Sequence, residues 1–212
     1  MVPPFEVSVF ADPSGAFTTA AGMVALTEKY LKDGFDQGLD KSSVVILGGT
    51  GPVGVASAVI CAKAGANVRL VGRSIEKAEK TAAICNDRYQ SKNVVAGADA
   101  DKQDYLNKAD IVLNTGAAGI QLMSDENIQM SSNLKICADT NAVPPSGIAG
   151  VDVMDSGKIM EKSPNKCRGI GALAIGNVKY KSQHECLKLM YTSDDPVYLD
   201  FEDAFKFAQK SV

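Results

Sequence analysis

The apolar run Val44-Val45-Ile46-Leu47 leads straight into Gly48-Gly49-Thr50-Gly51-Pro52-Val53-Gly54, then into a helical stretch and a second apolar run, Val68-Arg69-Leu70-Val71. No other feature constrains the fold as much as this order of strand, glycine turn, helix and strand. In such a turn Gly49 permits the tight bend, Gly51 lets the backbone approach a pyrophosphate, and Gly54 lets the helix pack closely on the strand. Phosphates would then rest on free backbone N–H groups at the positive end of the helix. Gly49, Thr50, Gly51, Pro52, Val53 and Gly54 are therefore the candidate diphosphate-binding turn. Glycine-rich turns also serve ordinary loops, and it is the order of elements on both sides that favours a dinucleotide site.

The second run ends in Gly72-Arg73-Ser74, where an NAD-specific site usually carries an acid to accept hydrogen bonds from the ribose 2′-hydroxyl. No acid stands at these positions. A guanidinium at Arg73 and a hydroxyl at Ser74 complement a 2′-phosphate instead, because a planar fork of donors matches phosphate oxygens. The expected cofactor is NADP. The competing reading is a solvated Arg73 with Ser74 merely capping the next helix, a common use of serine. Lys77, one turn on, either adds positive charge to the site or faces water.

With 212 residues, 45% of them hydrophobic, the chain can bury a sizeable core in one large or two small domains. A net charge of −3 and the lack of a basic tract leave no electrostatic footprint for nucleic acid. Five cysteines, widely spaced and without a Cys-x-x-Cys pair, argue against a disulfide framework or a zinc site, and no metal is expected. Most lie in apolar patterns, where a buried thiol acts as a small hydrophobe. No basic segment followed by an apolar run opens the chain, and no stretch reaches membrane-spanning length. A reducing cytoplasm is the expected setting.

Along the chain, Phe5 to Phe10 is extended, Asp12-Pro13-Ser14-Gly15 turns, and a helix is predicted from Thr18 or Thr19 through Met23, Leu26 and Tyr30, with Gly34 as its stop. The helix after the glycine turn passes through Ala56, Val59 and Ile60 to Gly65, and the next carries Ala78, Ala82 and Cys85 on one face; both are read as amphipathic covers for a sheet. Further strands are expected at Val94–Ala96, Asp110–Asn114 and Leu134–Ala138. A long helical pattern runs through Leu187 and Met190, and a closing helix starts near Asp200. Strands alternating with helices imply an α/β fold, a doubly wound parallel sheet of the Rossmann type with helices on both faces. Ligands bind such sheets beyond the carboxyl ends of the strands. Thr115, Gly116 and Ala117 would then border the nicotinamide half of a cofactor, or simply pack tightly. Asn141, past the end of the last of these strands, joins the cofactor-binding candidates.

Five stretches together give a resemblance: Asp12–Ala21 (DPSGAFTTAA), Val45–Gly54 (VILGGTGPVG), Gly72-Arg73, Asp139–Gly147 (DTNAVPPSG) and Gly171–Lys181 (GALAIGNVKYK). In order and combination they resemble the NADP-dependent methylene-tetrahydromethanopterin dehydrogenases, relatives of the methylene-tetrahydrofolate dehydrogenases. The resemblance implies a homo-oligomer whose subunit holds a pterin between a Rossmann NADP domain and a smaller α/β domain. It divides the chain into 1–36, the remnant of the substrate domain and a linking helix; 37–170, the NADP domain; and 171–212, helices returning toward the substrate domain. Members of that family begin about a hundred residues earlier, one small domain in length. Either this chain is a fragmentary member or a partner or neighbouring subunit supplies the missing wall of the pterin site.

The implied reaction moves a hydride from the one-carbon bridge of the pterin to C4 of NADP+. Two nitrogens flanking the bridge carbon push the hydride out, so the protein's task is positioning and exclusion of water. Lys179 and Lys181 fall in the matched stretch, where one of them is placed to touch the pterin; exposed helix lysines more often do nothing special. Asp12, Thr18 and Thr19 are read either as lining the cleft or as turn and cap residues. The single histidine, His184, lies in a helical stretch and is expected to have a surface or packing role. Action on methylene-tetrahydrofolate, and a non-catalytic NADP-binding module, are the alternatives.

Overall fold

The apolar runs lie side by side in one sheet. The computed structural model describes residues 5–212, in the order β1 (Val9–Phe10), α1 (Ala16–Phe35), β2 (Ser43–Leu47), α2 (Pro52–Lys63), β3 (Asn67–Gly72), α3 (Ile75–Arg88), β4 (Val94–Ala98), α4 (Lys102–Leu106) and β5 (Ile111–Asn114). There follow α5 (Asp125–Met130), β6 (Ile136–Asp139), β7 (Ser156–Ile159), β8 (Arg168–Ile170), α6 (Ala172–Thr192), β9 (Tyr198–Leu199) and α7 (Phe201–Lys210). The main sheet has the order β4-β3-β2-β5-β6-β8-β7, parallel except for β7, which pairs antiparallel at the edge. The chain winds outward from β2 to β4 and then returns to β5, so the winding reverses between β2 and β5. Such a switch point opens a crevice at the strands' carboxyl ends.

Continuous apolar strands are needed because helices cover both faces. Side chains alternate between two cores: Val44 and Ile46 face one with Leu70 and Leu113, while Val45 and Leu47 face the other with Val71 and Val112. Each such aliphatic side chain, fully buried, contributes about 1.5–3 kcal/mol. The register places Leu47 opposite both Val71 and Asn114, and Asn114 opposite Asp139. Four strand ends therefore finish at one level.

Several expectations change. Helix α1 begins at Ala16, before Thr18, and continues through Gly34 to Phe35, where Asp36 caps it in the left-handed region. Gly34 serves packing: a Cβ there would lie 2.5 Å from Arg168 Nε. Helix α2 is not amphipathic; it is buried almost continuously from Ala56 to Ala62, because α1 covers the side away from the sheet. The stretch Gly171–Gly176 is already the start of α6. Edge strand β7 and helices α4 and α5 had no strong periodic signal, being six residues or fewer. Strand β1 pairs in parallel with β9 in a sheet of their own, uniting the two ends of the described chain beside α6. No helix among the described residues is long and apolar enough to cross a membrane.

Candidate cofactor-binding cleft

The glycine turn folds at the switch point. Gly48 has a φ of +68°, and a Cβ on it would lie 2.6 Å from Gly116 Cα, so the loops after β2 and β5 touch. Gly54 is buried, with its missing Cβ 2.6 Å from Gly49 Cα; this contact seats α2 against the turn. Gly51 differs from both. It is half-exposed, and a Cβ there would meet only Gly48 O, at 3.9 Å. The fold has room for a side chain at 51, and the vacant space is where a diphosphate would approach the backbone. Gly51 is the N-cap of α2, Pro52 occupies the first turn, and no side chain caps the helix. Its first-turn amides, including those of Val53 and Gly54, are thus left to a ligand or to water. These observations fit a dinucleotide.

The cleft in front of the turn has a volume of about 310 Å³. Thr50 and Gly51 form its middle, Arg73, Lys77 and Asp99 one end, and Thr115, Gly116 and Ala117 with Ile120 and Leu122 the other. An adjoining hollow of about 330 Å³ between Thr50, Arg73, Ser74 and Lys77 extends the charged end. Asp99, Ile120 and Leu122 carry no site pattern of their own in the sequence, and it is the fold that brings them to the cleft. A larger depression of about 470 Å³ around Asp125, Lys158 and Lys162 lies beside the sheet edge and holds no glycine turn.

At the charged end Arg73, Ser74 and Lys77 are exposed, and among the described residues neither cation forms an ion pair. Ser74 does cap α3, its Oγ accepting from Lys77 N at 3.2 Å. It also donates to Glu76 Oε2 at 2.7 Å, and this hydrogen bond is the first cause holding the Glu76 carboxyl below its ordinary range. An acid is therefore tied to a residue that lines this end of the cleft, from two residues beyond the position where sequence logic looks for one.

At the other end, buried Asn114 accepts from Gly116 N at 3.1 Å and donates to Asp139 Oδ1 at 2.7 Å. Asp139, also buried, takes the amides of Asn141 (2.9 Å) and Ile148 (3.0 Å). This network ties the loops after β5 and β6 together beneath Gly116. Asn141 does not face the cleft: it is 5% exposed, its Oδ1 accepts from Gly119 N and Val143 N, and its amide donates to Pro145 O. Asn141 shapes the loops and is not among the residues that line the cleft. The Thr115 hydroxyl is likewise turned to Leu47 O, at 3.1 Å.

The candidates for a substrate wall are only partly brought together. Asp12 caps α1, accepting from Phe17 N, Thr18 N and Thr18 Oγ1. Thr18 is fully buried and cannot line a cleft; burial beneath its own cap explains the discrepancy. Thr19, partly exposed, donates to Gly15 O at 2.6 Å. The Lys179 ammonium lies against the same turn, 2.5 Å from where a Cβ on Gly15 would be. Lys181, about 200° further round α6, is remote from that turn. It lines a hollow with Tyr180, His184 and Phe207. His184 is exposed and stacked on Tyr180, with ring centroids 6.5 Å apart. All five cysteines are free and buried; burial pushes the Cys61 thiol up to about 12. No group of three or more metal-ligating side chains occurs among the described residues.

No family model matches the chain. Among solved structures it resembles a shikimate dehydrogenase determined with NADP+, at a TM-score of 0.57 and 17% identity over 92% of this chain and 61% of that one. The likeness is one of fold, a Rossmann-type parallel sheet with helices on both faces. At the sequence level it is 40% identical over 210 residues to the NAD(P)-dependent methylenetetrahydromethanopterin dehydrogenase of Methylorubrum extorquens, covering 98% of this chain and 70% of the relative. It is also 38% identical over 210 residues to the bifunctional protein MdtA of the same organism, covering 98% and 69%. The chain belongs to the methylenetetrahydromethanopterin dehydrogenase family.

Proposed function

We propose that the chain is an oxidoreductase of one-carbon metabolism that transfers a hydride from methylene-tetrahydromethanopterin to NADP+, leaving methenyl-tetrahydromethanopterin. The observation that carries this reading is the open space at Gly51 between uncapped helix amides and two cations that have no ion-pair partner among the described residues. The one-carbon substrate is supported by the name of the relative at 40% identity. Thr50, Gly51, Val53 and Gly54 would hold the diphosphate, Arg73, Lys77 and Ser74 the 2′-phosphate, and Thr115, Gly116 and Ala117 the nicotinamide. Bound there, the nicotinamide supplies the hydride acceptor.

The bridge carbon of the substrate loses a hydrogen with both bonding electrons, and the flanking nitrogens share the resulting positive charge. No base need remove a proton from that carbon. The chain's residues therefore act by positioning and by keeping water out. The Asp139–Asn114–Gly116 network fixes the wall against which the ring lies, and small side chains at 116 and 117 let it come near the backbone. Lys179, held beside the Asp12–Gly15 turn, is the cation placed to meet the pterin, with Asp12 and Thr19 organising that turn. Lys181 is not in this wall.

The divisions 1–36, 37–170 and 171–212 describe substrate side, cofactor domain and returning helices. The parallel pair β1–β9 supports them: it stands apart from the main sheet and joins the segment before α1 to the segment before α7. A further subunit or polypeptide completing this side agrees with assembly as a homo-oligomer. Five unpaired buried thiols agree with a reducing cytoplasm.

An absorbance assay at the reduced-nicotinamide band tests the reading, with methylene-tetrahydromethanopterin and NADP+ beside NAD+ and beside methylene-tetrahydrofolate. Reduction of NADP+ with the methanopterin substrate is expected. Tight NADP+ binding without turnover on either pterin would make the chain a binding module instead.

A further inference from the structure

The charged end of the cleft is lined by Arg73, Ser74 and Lys77, and the Ser74 hydroxyl is hydrogen-bonded to the carboxylate of Glu76. Ser74 Oγ has a single proton and two acceptor lone pairs. The proton goes to Glu76 Oε2 at 2.7 Å, and one lone pair takes Lys77 N at 3.2 Å. What remains at Ser74 is an acceptor. No described cation forms an ion pair with Glu76, so its charge is offset by that hydroxyl and by its place in the first turn of α3.

The two nicotinamide dinucleotides differ at the ribose 2′ position, and they ask opposite things of this hydroxyl. A 2′-OH is a donor and matches the open lone pair of Ser74. A 2′-phosphate offers mainly acceptors, so it is held by Ser74 only if the proton leaves Glu76. The carboxylate would then be stranded beside a group of nearly two negative charges. Arg73 and Lys77 pull in the other direction.

Resting on the dinucleotide site proposed above, we infer that Glu76 is a specificity-determining residue: by holding the Ser74 proton it presents an acceptor to the ribose 2′ position, supports NAD and restrains the preference for NADP set by Arg73 and Lys77. Asp99 at the same end is paired with Lys102 at 3.5 Å, and the balance between Glu76 and the two cations leaves both cofactors usable. The sequence conceals this because the acid lies in the first turn of α3, and only the backward reach of its side chain brings it to Ser74.

Titration calorimetry with NADP+ and with NAD+ on the full chain tests this, using wild type, Glu76→Gln, Glu76→Ala and Ser74→Ala/Glu76→Ala. Glu76→Ala is expected to tighten NADP+ by about threefold or more and to loosen NAD+ by a similar factor, the scale of an exposed charge interaction. The ratio of affinities then moves about tenfold toward NADP. Glu76→Gln, which keeps an acceptor for Ser74 but no charge, should tighten NADP+ while retaining NAD+ binding. Removing Ser74 as well takes away the acceptor itself, so Ser74→Ala/Glu76→Ala should bind NAD+ no more tightly than Glu76→Ala. Glu76 is exposed, so an unchanged Tm in each single variant excludes misfolding as the cause. An affinity ratio unmoved in Glu76→Ala, or moved toward NAD, overturns the inference while leaving the site in place. A wild-type chain that binds neither dinucleotide overturns the site, and the role of Glu76 with it.

Discussion

Replacing Gly51 by alanine separates what the fold needs from what the cofactor needs. In the folded chain a Cβ at 51 meets only Gly48 O, at 3.9 Å, and the backbone there (φ −87°, ψ 170°) suits any residue. Losing glycine's freedom in the unfolded chain should then stabilise the protein by roughly 0.4–1 kcal/mol. For a domain of this size that raises Tm by about 1–4 °C. The same methyl fills the space beside the helix amides and should weaken NADP+ at least about tenfold, equivalent to ~1.4 kcal/mol. Gly54→Ala is the contrast. Its Cβ would lie 2.6 Å from Gly49 Cα and 2.7 Å from both Gly49 C and O, all backbone atoms that cannot rotate away. Carbon atoms normally settle about 3.5–4.0 Å apart. Overpacking of this kind costs roughly 1–3 kcal/mol, and Tm should fall by roughly 2–12 °C. Thermal denaturation and NADP+ calorimetry on both variants decide the matter. If Gly51→Ala lost as much stability as Gly54→Ala, or bound NADP+ like the wild type, the vacant space at 51 would not be a diphosphate cradle.

Further outcomes are expected. Arg73→Ala should weaken NADP+ by roughly tenfold or more, the worth of a charged hydrogen bond, and leave NAD+ nearly unchanged; an intact NADP+ preference in binding titrations would remove Arg73 from the site. Lys179→Ala should lower kcat by roughly tenfold or more at unaltered NADP+ affinity, whereas Lys181→Ala should change neither; equal losses in steady-state assays would contradict the placement of the two lysines on α6. A Cβ on Gly147 would overlap Asn114 Nδ2, so Gly147→Ala should break the Asn114–Asp139 hydrogen bond and cost about 1–3 kcal/mol, read as a lower Tm. The Cys61 thiol is raised from 9.0 to about 12 by burial, so in that interval the folded state holds a proton that the unfolded state releases. The Cys61 contribution to stability should be constant below pH 9 and be lost as pH rises toward 12, and a Tm that climbed through this window would falsify the burial argument.

Much of the scaffold is written in local pattern. The runs at Val44 and Val68 read as strands because covering both faces of a parallel sheet demands uninterrupted apolar residues, and the glycine spacing marks the turn between them. Ser74 and Asp200 announce helix starts because a short polar side chain satisfies free amides wherever it occurs, and both do so here. Gly34 misled as a stop because its reason is a distant partner, Arg168. For Asp12 and Thr18 the sequence leaves cleft and cap readings open, and the fold selects the cap, with Thr18 buried beneath Asp12.

By itself, then, the sequence determined the succession of strands and helices, the glycine turn and the cation that follows the second strand, since each rests on neighbours along the chain. Only the tertiary structure decided that Gly48 touches Gly116, that Asp139 governs Asn114 and that β7 closes the sheet edge. These are contacts between segments far apart in sequence, set by strand order and packing. The Ser74–Glu76 hydrogen bond was withheld for a different reason: it depends on the rotamer a side chain adopts once its helix has formed.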